Sequence, residues 1–100
     1  MRVILVSKSA GAKAFGEYNP DTGSLTVLKG SVLSITISTS PTFRGRNSII
    51  KARTGRVKDD ILIEDVVFKS PSTAANFVTG NSTNGKRAWR NEDGVAIGDL

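Results

Sequence analysis

Neither cysteine nor histidine occurs among the 100 residues. Without cysteine there is no disulfide framework, no thiolate metal site and no thiol nucleophile. A cysteine-free chain fits a reducing compartment, and the cytoplasm is the expected location. Without histidine the commonest general base and the commonest metal ligand are both missing. A serine nucleophile would have to be activated by lysine or a carboxylate, and no single serine stands out among the many present. The chain is therefore expected to be non-enzymatic, with no cofactor, no metal and no small-molecule substrate. Long apolar runs are absent too. Nothing approaches the ~18 residues that span a bilayer, so no membrane partner is expected. The opening run Val3-Ile4-Leu5-Val6 is too short for a secretory core and lacks a small-residue cleavage pattern after it, so it reads as a first strand. Asn81-Ser82-Thr83 matches a glycosylation acceptor, which carries no weight without secretion.

Apolar residues make up 38% and charged residues 23%, values of a globular chain rather than a disordered one. One domain over residues 1–100 is expected. At this length folding buries roughly two thirds of the unfolded surface, enough for a core without staples. The net charge is +5, and its placement says more than its size. Residues 22–58 hold seven bases (Lys29, Arg44, Arg46, Lys51, Arg53, Arg56, Lys58) and no acid, whereas residues 59–100 hold seven acids against four bases. An acid-free basic segment is how an anion-binding face looks in sequence.

Residues 12–18 alternate loosely and end at Asn19-Pro20-Asp21-Thr22-Gly23, a turn with proline and glycine in their usual roles. Leu25 and Val27 then share a face, so 12–18 and 24–28 should form a hairpin. Residues 32–38 give the clearest alternation, Leu33, Ile35 and Ile37 against Ser34, Thr36 and Ser38, and predict a half-buried strand. Residues 43–54 predict a basic amphipathic helix with Phe43, Asn47 and Ile50 on one side and Gly55 as its stop. Ile61-Leu62-Ile63 predicts a short strand, and 66–68 leads into a second helix. That helix is well signed: Ser70 as N-cap, Pro71 in the first turn, Gly80 as a left-handed C-cap. After the Asn84-Gly85 turn, residues 86–90 predict a terminal strand, and 91–94 turn again. The expected fold is α+β, a small mostly antiparallel sheet with two helices packed on one side.

Two motifs fall short of their chemistry. Gly80 through Lys86 spells Gly-x-x-x-x-Gly-Lys, but Arg87 stands where a phosphate loop needs serine or threonine, and the flanking elements are expected in the wrong order. Asp59, Asp60, Glu64 and Asp65 cluster without the spacing of a calcium loop and read as a solvated acidic turn. The basic positions remain. Arg44, Arg46, Lys51 and Arg53 on the first helix could neutralise phosphates. Trp89, between Lys86, Arg87 and Arg90, could stack on a base while the cations hold the backbone. The bland alternatives are a solubilising helix face and a core tryptophan.

Phe68-Lys69-Ser70-Pro71-Ser72-Thr73-Ala74-Ala75, then Gly80, Asn84-Gly85 and Trp89, resembles the domain-of-unknown-function family number 4357, itself similar to the RAMA (restriction enzyme adenine methylase associated) domain. Leu25-Thr26-Val27-Leu28-Lys29-Gly30-Ser31 and the closing Trp89-Arg90-x-x-x-Gly94 agree with it. The resemblance covers nearly the whole chain. It implies company with restriction–modification proteins and GIY-YIG nucleases, hence DNA as ligand and a nuclease or methyltransferase as protein partner. That is association by context. Relatives commonly carry tryptophan after Asn-Gly, where this chain has Lys86. The resemblance also gives Ser70-Pro71-Ser72 two meanings, a helix cap or a phosphate-facing helix end. The expected function is a DNA-binding accessory module, using Arg44, Arg46, Lys51, Arg53, Lys86, Arg87, Trp89 and Arg90. The alternative is a protein-interaction or structural domain with no nucleic-acid ligand.

Overall fold

The computed structural model describes residues 1–100. Alternation of apolar and polar residues builds the sheet. In β1 (Arg2–Ser7) Val3 and Leu5 are buried while Val6 faces solvent. β2 (Ala12–Tyr18) buries Ala12, Ala14 and Gly16 on one face. The strands run antiparallel with Leu5 opposite Ala14 and Val3 opposite Gly16, so both apolar sets share one side of the pleat. The turn at 19–23 closes as predicted: the Gly23 N–H donates to the Asn19 carbonyl at 2.7 Å, with Gly23 at φ 78. It leads into β3 (Leu25–Val27), completing the expected hairpin. A second, two-residue hairpin joins β4 (Val57–Lys58) to β5 (Ile61–Leu62). Its turn residues Asp59 and Asp60 both have positive φ, 53 and 64, the conformation such a turn requires and aspartate tolerates. β6 (Val66–Phe68) pairs with the far side of β3, giving an antiparallel order β1-β2-β3-β6.

Residues 32–38 do not form the predicted strand. Only Val32 pairs, with Lys13 on one side and Ile61 on the other, and so links β2 to the β4–β5 hairpin. The chain then bends at Ile35, which is 77% exposed instead of sharing the buried face of Leu33. The cause is the neighbour. No strand lies alongside; the Ser34 N–H donates to the Val78 carbonyl at 2.9 Å and the Ser38 N–H to the Gly80 carbonyl at 2.7 Å.

The first helix, α1 (Arg46–Arg53), is shorter than predicted. Gly45 at its N-cap has no side chain to accept a first-turn N–H, and the chain before it turns over 40–43, where the Phe43 N–H donates to the Ser40 carbonyl at 3.0 Å, and again at 44–45. Its buried residue is Ile49, not Ile50. Helix α2 (Pro71–Thr79) matches its signals: the Ser70 hydroxyl accepts the Thr73 N–H at 3.2 Å, and Gly80 takes φ 71. Residues 86–90 are not a strand. Asn84 Oδ1 accepts the Lys86 N–H at 3.2 Å and starts a helical turn, α3 (Gly85–Ala88); only Arg90 bridges onward, to Ile4 and Ala96. A 3-10 turn, Ile97–Asp99, follows.

Helix α2 carries no charge and lies against β2, β3 and β6. Ala74 and Ala75, both fully buried, let it approach the sheet closely. Phe77 and Val78 join Val3, Leu5, Leu25, Val27, Leu33 and Leu62 in one core. Helix α1 packs on α2, as does α3. The architecture is α+β as predicted, with a third short helix in place of the last strand. No helix is long and apolar enough to cross a membrane.

Candidate nucleic-acid interface

The acid-free segment does not present its bases as one free surface. Arg53 is held inside the fold. Its Nη1 donates to the Ser34 carbonyl at 2.9 Å, and its Nη2 to the Phe77 carbonyl at 2.7 Å and the Ser34 hydroxyl at 2.9 Å. Val78 and Phe77 supply the last carbonyls of α2, which the helix itself leaves unmet. Arg53 is thus a C-terminal clamp on α2, favoured there by the helix dipole, and not a phosphate contact as the sequence predicts. Burial lowers its pKa from the ordinary arginine value, with Asp60 opposing the shift, yet a guanidinium stays charged at any physiological pH. Arg46 Nη1 donates to the carbonyls of Ile37 and Ser38, tying α1 to the loop before it. Arg56 donates to the Ala52 carbonyl at 3.1 Å and pairs with Glu64 at 3.7 Å. Arg44 and Lys51 are exposed and make no ion pair.

Three other predicted bases do come together. Lys86, Arg87 and Arg90 line one notch of about 490 Å³ with Asn84, Ala96, Gly98 and Asp99. All three are exposed and none is ion-paired. Arg90 Nη1 donates to the Gly94 carbonyl at 2.8 Å, which holds its side chain in place. Lys86 and Arg87 stand on the turn of α3, and Arg90 joins them from the extended chain just after it, where it bridges to Ile4 and Ala96. Trp89 falls on the other side. It is fully buried, and its Nε1–H donates to the Pro71 carbonyl at 3.1 Å. The stacking role predicted for Trp89 is therefore corrected: the ring belongs to the core. Asp99 is the one acid at the notch, and composition alone gave no signal of it.

The acids of 59–65 have structural places. Asp59 and Asp60 form the hairpin turn, Glu64 faces Arg56, and Asp65 accepts the Lys29 N–H at 2.8 Å. Before Gly80 lies helix α2 rather than the strand a phosphate loop needs.

The Ser-Pro-Ser, Asn-Gly and Trp positions form one clasp between α2 and α3. Ser70 caps α2. The Pro71 carbonyl takes the Trp89 N–H. The Ser72 hydroxyl accepts the Gly85 N–H at 3.0 Å. A Cβ on Gly85 would run into the Pro71 carbonyl group and the Ser72 nitrogen, so only glycine fits. Of the two meanings open to Ser70-Pro71-Ser72, the cap accounts for the contacts observed. No curated protein and no solved structure matches the chain. A family model matches residues 5–100. With the β2–β3 hairpin, the clasp and the closing turn all inside that match, the chain belongs to the family described as Domain of unknown function (DUF4357).

Proposed function

We propose that the chain is an accessory module that binds duplex DNA through its phosphate backbone. The observation that carries this is the notch where Lys86, Arg87 and Arg90 converge, three exposed bases without an ion pair against a single acid. Arg44 and Lys51 extend the supply of unpaired charge. Arg53 does not belong to the contact set, because its guanidinium group is engaged by the end of α2, and Arg46 lies at a different groove, tied by Nη1 to the loop before α1. Phosphate contacts position without reading sequence, so base selection falls to another part of the assembly. Having no histidine or cysteine, the chain supplies the grip, and a nuclease or methyltransferase partner of restriction–modification type supplies the chemistry.

Titration of labelled duplex DNA against salt tests the proposal. Each phosphate contact contributes a slope of roughly 0.9 in log affinity against log salt. Three notch bases predict a slope of about 3, rising to about 4.5 when Arg44 and Lys51 also bind. The variant Lys86→Gln/Arg87→Gln/Arg90→Gln should lower the slope by about 3 and leave folding intact. Absent binding at low salt, or a slope the triple variant does not change, overturns it.

A further inference from the structure

The clearest strand in the sequence has no partner strand in the fold, and its outer edge is open. From Thr36 to Ser40 the chain runs without a bend or a pairing strand. Its even-numbered side faces inward at Ser38, whose N–H is held by the Gly80 carbonyl. Its odd-numbered side is met at one point only, the Ile37 carbonyl, which accepts from Arg46 Nη1. The N–H groups of Ile35, Thr36, Ile37 and Thr39 donate to nothing within the chain, and the carbonyls of Ile35 and Thr39 accept nothing. Along it runs a groove of about 840 Å³, lined by residues 35–40 and Arg46. Free main-chain donors beside an open groove are what an added strand pairs with.

We infer that this edge takes up an extended acidic peptide of a partner protein as an added strand. Main-chain bonds to Ile37 and Thr39 would supply the register, and the exposed Ile35 an apolar contact. Charge selects the occupant. Arg46 lines the groove with one guanidinium nitrogen engaged, Arg44 stands exposed two residues earlier, and no acid occurs between residues 22 and 58. An acidic side chain on the added strand meets only opposite charge there. Lys86, Arg87 and Arg90 of the DNA notch take no part here and Arg44 is the one cation both readings use, so either proposal can fail alone.

The test uses the full chain, labelled with ¹⁵N, and a synthetic seven-residue peptide alternating valine and glutamate. Two controls are its lysine-for-glutamate counterpart and a version N-methylated on alternate amides. The acidic peptide should shift the amides of 35–39 and leave those of 86–90 in place. N-methylation should weaken binding more than tenfold, and so should Thr39→Pro, which removes an N–H that no group in the chain uses. Arg44→Glu, on an exposed side chain, should weaken it several-fold with folding unchanged. Three results overturn the inference: no shift at 35–39, equal binding of the N-methylated peptide, or displacement of the peptide by duplex DNA from those same amides. If Thr39→Pro fails to fold, the methylated peptide decides the matter on the native chain.

Discussion

The α2–α3 clasp and the stretch 32–46 are two regions with similar stocks of serine, threonine and basic residues, and they treat them in opposite ways. In the clasp the side chains that mark the family are partnered: Ser70 with Thr73, Ser72 with Gly85, the Trp89 indole with Pro71. In 32–46 the N–H groups of Ile35, Thr36, Ile37 and Thr39 have no partner in the chain, and Ile35 is largely exposed. The difference teaches where to look for function. The residues that mark the family hold helices together, and the surfaces able to meet a ligand lie where polar groups remain free.

The sharpest way to break that contrast is at Gly85. Gly85→Ala forces a methyl into the backbone of Pro71 and Ser72. It should cost about 3 kcal/mol or more and lower the melting temperature by more than ~10 °C, read by circular dichroism. A change under ~2 °C would show that the clasp has slack. Next comes Arg53→Met. It keeps the aliphatic stem and removes the donors to the Ser34 and Phe77 carbonyls, both on nearly fully buried residues. Unmet buried acceptors should cost about 2–3 kcal/mol in urea unfolding, while affinity for duplex DNA should stay within twofold. Lost affinity with stability retained would move Arg53 back among the ligand contacts. The smallest effect belongs to Glu17. Its pKa is lowered, first by the hydrogen bond from Arg2 and then by the N-terminal ammonium group, with Arg2 Nε at 2.9 Å. The folded carboxyl holds its proton more weakly than the unfolded one, so its contribution is complete above the unfolded value near ~4.3 and fades as pH falls through the folded one. Because the pair is exposed, the loss should stay below ~1 kcal/mol and shrink in salt. Glu17→Gln should flatten that part of the stability–pH curve.

Local chemistry was legible where it decided the structure alone. The turn at 19–23, the cap at Ser70, Pro71 in the first turn and Gly80 at the end are all readable from residue type, and α2 and the first hairpin follow from them. Three readings failed for tertiary reasons. Residues 32–38 have strand periodicity, but what lies beside them is the end of a helix. Residues 86–90 look like a strand until Asn84 caps a turn of helix. The seven bases of 22–58 look equivalent in sequence, yet Arg53 reaches the end of α2 and Arg46 the loop before α1, distances along the chain that no local pattern records. The notch was half legible. Lys86, Arg87 and Arg90 were evident as bases, but the short helix and the extended residues after it, which bury Trp89 and bring the other three to one notch, replace the misread element.

The sheet order carries a consequence for how the chain assembles. β1, β2 and β3 are joined by short turns, whereas β6 reaches β3 only after a loop of about forty residues, whose closure costs on the order of 3 kcal/mol of entropy. The meander is therefore the piece able to form early in synthesis. Its inner face, with Val3, Leu5, Ala14 and Leu25, has no cover until α2 arrives. A chain stopped before Pro71 would thus be a sticky half-sandwich rather than a smaller domain, prone to self-association through that face.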